Sequence, residues 1–227
     1  MLKADFHMHT RYSPDSDMSP ERLVQKCLQV GLNCIAVTDH NTVEGALMVR
    51  QIAGFTVIIG EEVGTADGEV TGLFLTETVP RGLSAVETAK RIKEQGGLVS
   101  LPHPFDRFRG GVITRTALED VLPYTDIVEV FNSRNNLDAD NRKAYDFAHA
   151  HGLLTSGVSD AHTPMELGRT YVEMPEFDGS PEGFKKSLAQ GTIHGRKTSP
   201  LIHVLTTFTK IKKRVFGRAS GPAADKR

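Results

Sequence analysis

Short apolar segments alternate along the chain with segments that carry helix signals. Residues 55–59 and 127–131 are apolar runs with the length and branched side chains of buried strands. Ser19 and Pro20 begin a predicted helix that stops at Gly31, and a second helix over residues 84–95 stops at a Gly-Gly pair. The order strand, helix recurs about seven times, which predicts parallel strands joined by crossover helices in a single α/β domain.

Composition adds few exclusions. The 227 residues are 39% hydrophobic and 24% charged, which is ordinary for a globular protein. No run of 18 apolar residues predicts a transmembrane helix, and we expect no signal peptide. The formal net charge of −1 argues against nucleic-acid binding through overall charge. Cys27 and Cys34 have no CxxC partner, so we expect buried free thiols and a cytoplasmic protein. No pattern predicts an oligomeric state.

The end of the chain is predicted to differ from the rest. We expect one folded domain to cover residues 1–205, and residues 206–227 to form a basic helix and a flexible tail. Residues 210–214 read Lys-Ile-Lys-Lys-Arg, which is typical of a solvated helix face. An anionic partner or a membrane surface is the alternative interpretation of this run.

Polar residues follow the predicted strands at their carboxyl ends. In a parallel barrel these ends share one face, so side chains scattered along the sequence would converge there. His7 and His9, like Asp160 and His162, are two positions apart, and such residues on a strand point the same way, as one metal ion requires. The residues that follow strands in this way are His7, His9, Asp39, His40, Glu61, Glu62, His103, Asn132, Asp160 and His162.

The residue pattern alone leaves some choices open. Asp39 and His40 are adjacent and point to opposite sides, so we interpret His40 as a ligand and Asp39 as a partner that orients an imidazole. Either Glu61 or Glu62 could face the site, and Asp15 is equally explained as a loop residue. The remaining histidines, at positions 149, 151, 194 and 203, are not assigned to metal.

Five short motifs, in this order, resemble those of the PHP (polymerase and histidinol phosphatase) superfamily. They are Asp5-Phe6-His7-Met8-His9-Thr10, Thr38-Asp39-His40, the Gly-x-Glu at 60–62, His103-Pro104 and Ser159-Asp160-Ala161-His162. The resemblance runs from residue 2 to about residue 200. It implies a distorted (β/α)₇ TIM-like barrel that binds two or three divalent metal ions and hydrolyses phosphoesters.

The resemblance also assigns roles to residues. It implies that His7, His9, Glu62 and Asp160 bind a first metal, and that Glu62 bridges to a second metal held by His103. Asp15, His40 and His162 would bind a third. Many members have a further histidine on the strand after Gly-x-Glu, but residues 68–73 contain none. The second site is therefore expected to be weak, completed by water or another residue, or empty.

The functional hypothesis is that metal-activated hydroxide attacks the phosphorus of a small phosphomonoester or a nucleotide-type phosphoester. Mn²⁺, Fe or Zn²⁺ suits the imidazole and carboxylate ligands. Asp160 or His103 would handle protons, and Arg134 and Arg169 are candidate phosphate-binding residues. An exonuclease-like phosphodiesterase acting on nucleic acid, a hydrolase of C–N bonds and a non-catalytic metal-binding module are the alternatives.

Overall fold

The computed structural model describes residues 1–198. The predicted tail, the basic run at 210–214 and the predicted domain boundary at 205 lie outside these residues. The described part is built from nine strands and six α-helices. The strands are β1 Leu2–Asp5, β2 Cys34–Val37, β3 Thr56–Gly64, β4 Glu69–Leu73, β5 Leu98–Leu101, β6 Ile127–Asn132, β7 Leu154–Val158, β8 Tyr171–Met174 and β9 Thr192–His194. The helices are α1 Pro20–Val30, α2 Glu44–Ile52, α3 Ala85–Glu94, α4 Arg115–Val121, α5 Asp138–Ala150 and α6 Pro181–Leu188.

The strands form one sheet that curls into a nearly closed barrel, which confirms the predicted α/β barrel. Their order is β7-β6-β5-β4-β3-β2-β1-β8-β9. The chain just after β1 meets the chain just after β7, where Met8 forms a parallel bridge with Ala161. The backbone N–H of His9 donates to the Ala161 carbonyl at 2.8 Å. The two segments that carry the HxH and DxH pairs are therefore joined directly.

Three strands depart from the parallel arrangement that the alternating pattern predicts. Parallel pairing joins β1 to β2, β2 to β3, β5 to β6 and β6 to β7. In contrast, β4 is antiparallel to both β3 and β5, and β8 and β9 are antiparallel additions beside β1. Because β3 continues into a hairpin with β4, Glu62 lies within β3 and not at its end. The first residue of β4 also reaches the face where the parallel strands end.

Two apolar clusters hold the barrel together. One packs the outer face of the strands against helices α1 to α5, through side chains such as Leu23, Val49 and Ile92. The other fills the interior and includes Leu98 and Ile127, at the amino ends of their strands, together with Phe184 of α6. Helix α6 thus covers the end of the barrel opposite the carboxyl ends of the parallel strands.

Side chains cap the start of several helices, including the predicted start at Ser19. The side chains of Ser19, Ser84 and Thr114 each accept a hydrogen bond from the third residue after them. Gly31 has φ of 75°, the left-handed conformation that ends α1. Both cysteines are buried free thiols, as predicted. Among residues 1–198, no helix combines the length and apolar character needed to cross a bilayer.

Candidate metal centre

Imidazoles and carboxylates from five segments meet at the face where the parallel strands end. The rings of His7 and His9 come first, after β1, and both are fully buried. Their Nε2 atoms face each other at 3.1 Å. Two neutral imidazoles can share that gap only if one turns a proton toward the other, whereas a cation between them satisfies both lone pairs.

Glu62 lies between two sets of imidazoles. Its Oε2 is 3.3 Å from His7 Nε2, 3.5 Å from His9 Nε2 and 3.2 Å from His40 Nδ1. Its Oε1 is 3.1 Å from His103 Nε2. The two carboxylate oxygens thus face different groups of nitrogen atoms, which is the arrangement a carboxylate needs to bridge two metal ions. The neighbouring Glu61 is directed elsewhere and accepts from the Val79 N–H at 2.8 Å.

Asp160 is held through one oxygen and presents the other to the histidines. Its Oδ2 accepts from Arg109 Nη1 at 2.5 Å and from Asn132 Nδ2 at 3.1 Å. Its Oδ1 is 3.7 Å from His7 Nε2 and 3.5 Å from His9 Nε2. That oxygen is buried and has no hydrogen-bond partner within the described residues. An anionic oxygen left in this way is costly unless a cation binds it.

A second cluster of nitrogen and oxygen atoms surrounds Asp15. Its Oδ2 is 3.3 Å from His40 Nε2, and its Oδ1 is 3.4 Å from His162 Nε2. Nδ1 of His162 faces the Asp160 carbonyl at 2.9 Å, which leaves Nε2 free for a ligand. With His9, these three residues place one ligand atom each within 4.8 Å of one another. The sequence alone left Asp15 undecided between ligand and loop residue, and the structure brings it to the centre.

Glu129, in β6, holds several residues of the centre in place, and the sequence analysis did not predict this role. Its Oε1 is 2.6 Å from His7 Nδ1, and its Oε2 accepts from the His103 N–H and from Asn132 Nδ2, each at 3.0 Å. The available signal was a carboxylate inside an otherwise apolar buried strand. A β-bulge between Glu129 and Phe131 interrupts the pairing of β6 with β7. Glu129 holds Nδ1 of His7 so that Nε2 faces the other ligands.

Asp39 acts on an imidazole through a serine. Its Oδ1 accepts from Ser13 Oγ at 2.8 Å, and Ser13 Oγ is 3.0 Å from His9 Nδ1. Ser13 Oγ also accepts from the His40 N–H at 2.9 Å. The carboxylate packs against Gly45 so closely that a Cβ there would lie 1.9 Å from Asp39 Oδ2. The structure therefore places Asp39 where we predicted an orienting partner, one hydroxyl away from the ring.

Two of the candidate ligands adopt a backbone conformation that side chains rarely take. His103 has φ of 30° and Asp160 has φ of 52°. A residue other than glycine in this region is strained by about 1–3 kcal/mol, and such strain concentrates at functional sites. Pro102 and Pro104, on either side of His103, restrict the chain there. The surrounding structure thus keeps the backbone of both residues in a conformation that an unconstrained loop would not maintain.

The donor set and its unsatisfied atoms fit divalent metal ions. Asp15 Oδ1 and Asp160 Oδ1 are buried and lack hydrogen-bond partners among residues 1–198. Three groups of imidazole and carboxylate atoms, each within 4.8 Å, overlap at shared residues. They are His9, Asp15, His40 and His162; His7, His9 and Glu62; and His40, Glu62 and Glu69. Nitrogen and oxygen donors without thiolate suit Mn²⁺, Fe or Zn²⁺.

The electrostatics of the metal-free centre keep its carboxylates ionised. Burial opposes ionisation of Glu62 and Asp160, yet His7 and His40 beside Glu62, and Arg109 beside Asp160, hold both pKa values well below the usual range. Burial, reinforced by His162, lowers the pKa of His9 to about 3. The ionised carboxylates and the neutral His9 ring are in the states that bind metal, whereas, despite burial, nearby carboxylates raise the pKa values of His7 and His40, which must lose a proton when metal binds.

The two arginines predicted to bind phosphate, Arg134 and Arg169, have partners near the loop that follows His162. Arg134 is buried, and its Nη1 lies 3.4 Å from Glu166 Oε1. Arg169 is exposed and donates from Nε to the Met165 carbonyl at 3.1 Å. Arg109 contacts the centre through Asp160, and it lies in a loop with no sequence periodicity to identify it.

Glu69 is a further residue that the sequence interpretation missed. It begins β4, in the stretch where we noted that a histidine is absent. Its Oε2 lies 3.7 Å from His103 Nε2, and its Oε1 lies 3.9 Å from His40 Nδ1. The antiparallel direction of β4 brings it there, and the apolar pattern does not reveal that direction.

Comparison with known proteins gives consistent matches. The model of the PHP domain family matches residues 5–171. An uncharacterized protein of Methanocaldococcus jannaschii is 37% identical over 181 residues, which cover 78% of this chain and 72% of that protein. A 5′-3′ exoribonuclease of Haemophilus influenzae is 30% identical over 100 residues, which cover 41% of this chain and 36% of that enzyme.

Superposition on a solved structure shows that the similarity includes the fold. A two-domain protein of Bacteroides vulgatus, which contains a predicted PHP-like metal-dependent phosphoesterase, superimposes with a TM-score of 0.70 at 21% identity. The match covers 86% of this chain and 65% of that protein. At this level of identity the likeness supports the barrel fold alone.

Proposed function

Because this chain belongs to the PHP domain family, we propose that it is a metal-dependent phosphoesterase acting on a small phosphomonoester or a nucleotide-type phosphoester. One observation carries the proposal. Glu62 presents its two oxygens to separate sets of imidazoles, at 3.2 Å from His40 Nδ1 and 3.1 Å from His103 Nε2. A buried carboxylate shared in this way supports a centre of more than one metal ion.

The proposed ligands draw on two of the three groups of donor atoms. His7, His9, Glu62 and Asp160 would hold one ion, and Asp15, His40 and His162 another, while His103 faces Glu62 from the remaining side. Divalent cations in such a centre lower the pKa of a bound water and stabilise charge on phosphoryl oxygens. Mn²⁺, Fe and Zn²⁺ all suit these donors, and two or three ions are proposed.

The protein's own groups would position the substrate and manage protons. Arg109 is 21% exposed at its side chain and ends at the centre, so it is the proposed phosphate ligand in addition to Arg134 and Arg169. Asp160 Oδ1 is a buried oxygen at the centre without a hydrogen bond within the described residues, and it is the proposed proton acceptor. His103, whose Nδ1 also lacks a partner there, is the second candidate for proton transfer.

The exonuclease-like alternative has one specific observation in its favour. The Haemophilus influenzae relative is named a 5′-3′ exoribonuclease, although the match covers 36% of that enzyme. The near-neutral net charge of this chain does not favour a nucleic-acid substrate. A C–N hydrolase and a non-catalytic metal-binding module remain the other candidates. For the compartment we retain the cytoplasm, because Cys27 and Cys34 are buried and unpaired.

A substrate panel with Mn²⁺ added separates these functions. We expect phosphate release from phosphomonoesters and mononucleotides, and no release from the doubly substituted variant His7→Ala, His9→Ala. Stepwise release of nucleotides from 5′-phosphorylated oligoribonucleotides, with no monoester turnover, would favour the exonuclease. Turnover of cyclic amides alone would favour a C–N hydrolase, and tight metal binding without any turnover would favour the non-catalytic module.

The same panel tests Arg109. The variant Arg109→Lys keeps one positive charge but loses the planar fork that matches phosphate oxygens. We expect it to raise KM for a phosphomonoester while metal binding is preserved. An unchanged KM and kcat would remove Arg109 from the proposed substrate site.

A further inference from the structure

Glu69 faces the metal centre because of the direction of its strand. In the antiparallel pair of β3 and β4, Glu62 is opposite Thr71, and Gly64 is opposite Glu69. Residues two apart on a strand share a face, so Glu62 and Glu69 point to the same side of the sheet. A histidine at this place is absent from residues 68–73, and Glu69 is the acidic side chain in that stretch that reaches the centre.

The Glu69 carboxylate approaches two imidazoles that also face Glu62. Its Oε2 is 3.7 Å from His103 Nε2, and its Oε1 is 3.9 Å from His40 Nδ1. Glu62 Oε1 is 3.1 Å from the same His103 nitrogen. These separations are longer than direct hydrogen bonds and are compatible with an ion held between the groups. The Glu69 side chain is 18% exposed, so it lines the centre without being sealed inside it.

The loop after β5 is shaped to accept this carboxylate. The Glu69 N–H donates to the Gly111 carbonyl at 2.7 Å. A Cβ at Gly111 would lie 2.7 Å from the carboxyl carbon of Glu69, and Gly111 has φ of 94°, which favours glycine. The backbone of the loop therefore packs directly on the carboxylate and confines it toward the histidines.

Two carboxylates on one side of the sheet repel each other without a cation. Arg109 lies nearby, but its guanidinium is engaged by Asp160 at 2.5 Å and by Asp106 at 3.7 Å. A divalent ion between Glu62, Glu69 and His103 would neutralise the pair and use the His103 nitrogen as well.

The geometry points to Glu69 as the residue that completes the second metal site, together with Glu62 and His103. This inference rests on the proposed function only in requiring a metal centre. Two carboxylates and one imidazole form a harder ligand set than one with an additional imidazole. The site therefore takes Mn²⁺ readily and discriminates less in favour of Zn²⁺.

The test counts bound ions in metal-free protein that has been reloaded with Mn²⁺. Equilibrium dialysis followed by elemental analysis gives the stoichiometry for wild type, Glu69→Gln and Glu61→Gln. Glu61→Gln is the matched control, because Glu61 is also a buried carboxylate of this hairpin but accepts from Val79 N–H outside the centre. We expect Glu69→Gln to bind one ion fewer than wild type and Glu61→Gln to bind the same number.

The known effect of losing an orienting group sets a lower limit on the loss of metal affinity expected for Glu69→Gln. Loss of a group that only orients a ligand lowers metal affinity about 10–100-fold, so loss of a direct ligand should weaken the second site by more than ~100-fold. Retention of every ion at wild-type affinity in Glu69→Gln would overturn the inference. Loss of all ions in that variant would overturn it too, because Glu69 would then support the whole centre.

A second variant reaches the same site without altering its chemistry. Gly111→Ala places a methyl group against the Glu69 carboxylate, so we expect the same single ion to be lost while the others remain. Full stoichiometry in both Gly111→Ala and Glu69→Gln contradicts the assignment. Metal stoichiometry is measured independently of turnover. If wild type is inactive on every phosphoester but Glu69→Gln still binds one ion fewer, the proposed function is rejected and this inference stands.

Discussion

The hydrogen bond between Glu129 and His7 controls which nitrogen of His7 is available for metal. The Glu129 carboxylate has acceptors only, and its Oε1 lies 2.6 Å from His7 Nδ1 while Oε2 accepts from His103 N–H and Asn132 Nδ2. Nδ1 must therefore carry a proton, which makes Nε2, facing His9 and Glu62, the nitrogen that can bind metal. The variant Glu129→Gln preserves the shape of this side chain and removes half of its acceptor capacity.

The glutamine has one arrangement that satisfies the two donors now bound to Glu129 Oε2. Its oxygen must face His103 N–H and Asn132 Nδ2, so its NH₂ group faces His7 Nδ1. That contact favours the other tautomer of His7, in which Nε2 carries the proton and points it at the metal position. Changes of this kind weaken metal affinity about 10–100-fold, which corresponds to about 1.4–2.7 kcal/mol.

Competition titration with a Mn²⁺-binding dye measures this loss directly. We expect Glu129→Gln to bind its tightest ion about 10–100-fold more weakly than wild type. The control Glu61→Gln removes another buried glutamate charge and should stay within about twofold of wild type. Circular dichroism establishes that both variants are folded. Wild-type affinity in folded Glu129→Gln would refute the claim that Glu129 sets the tautomer of His7.

Three further predictions concern packing, pH and thiol reactivity. Gly45→Ala would put a methyl group 1.9 Å from Asp39 Oδ2, so we expect urea denaturation to show a free energy of unfolding about 1–3 kcal/mol lower than that of wild type. Gly54→Ala is the control, because its added Cβ meets nothing within 4 Å. Equal losses in the two variants would contradict the packing argument. Burial raises the pKa of Glu61 to about 7 from 4.5, so its stabilising contribution is complete below pH 4.5 and is lost as pH rises through about 7. The free energy of unfolding of Glu61→Gln should therefore depend less on pH, and relative to wild type it should rise by roughly 3 kcal/mol between pH 4.5 and about pH 7. Parallel curves of unfolding free energy against pH for the two proteins would exclude this. Burial raises the pKa of Cys27 and Cys34 to about 12. Neither thiol should therefore react with a disulfide reagent at pH 8 until the protein unfolds. Rapid labelling of the native protein would contradict their burial.

Local signals in the sequence predicted most of the framework. Apolar runs at residues 55–59 and 127–131 predicted β3 and β6, and Ser19 and Gly31 marked the ends of α1. Strands β8 and β9, which extend the sheet beyond β1, were missed, because each has only three or four residues and pairs antiparallel. Short strands of this kind depend on tertiary pairing more than on their own pattern.

The centre was predictable to the extent that its residues follow parallel strands. His7, His103 and Asp160 do so, and the barrel geometry gathers them without further information. Glu69 could not be placed in this way, because its position depends on β4 running antiparallel. Glu129 required knowledge of the bulge in β6 and of its partner His7, which lies 122 residues away in sequence.

The central claim is that the gathered histidines and carboxylates bind metal ions that enable phosphoester hydrolysis. The most direct measurement titrates Mn²⁺ into metal-free protein and follows bound ions and phosphate release in the same samples. We predict that phosphate release from a phosphomonoester is absent without metal and rises with the number of ions bound per chain. Equal release by metal-free and metal-loaded protein, or no release from any phosphomonoester or phosphodiester at full metal occupancy, would contradict the account.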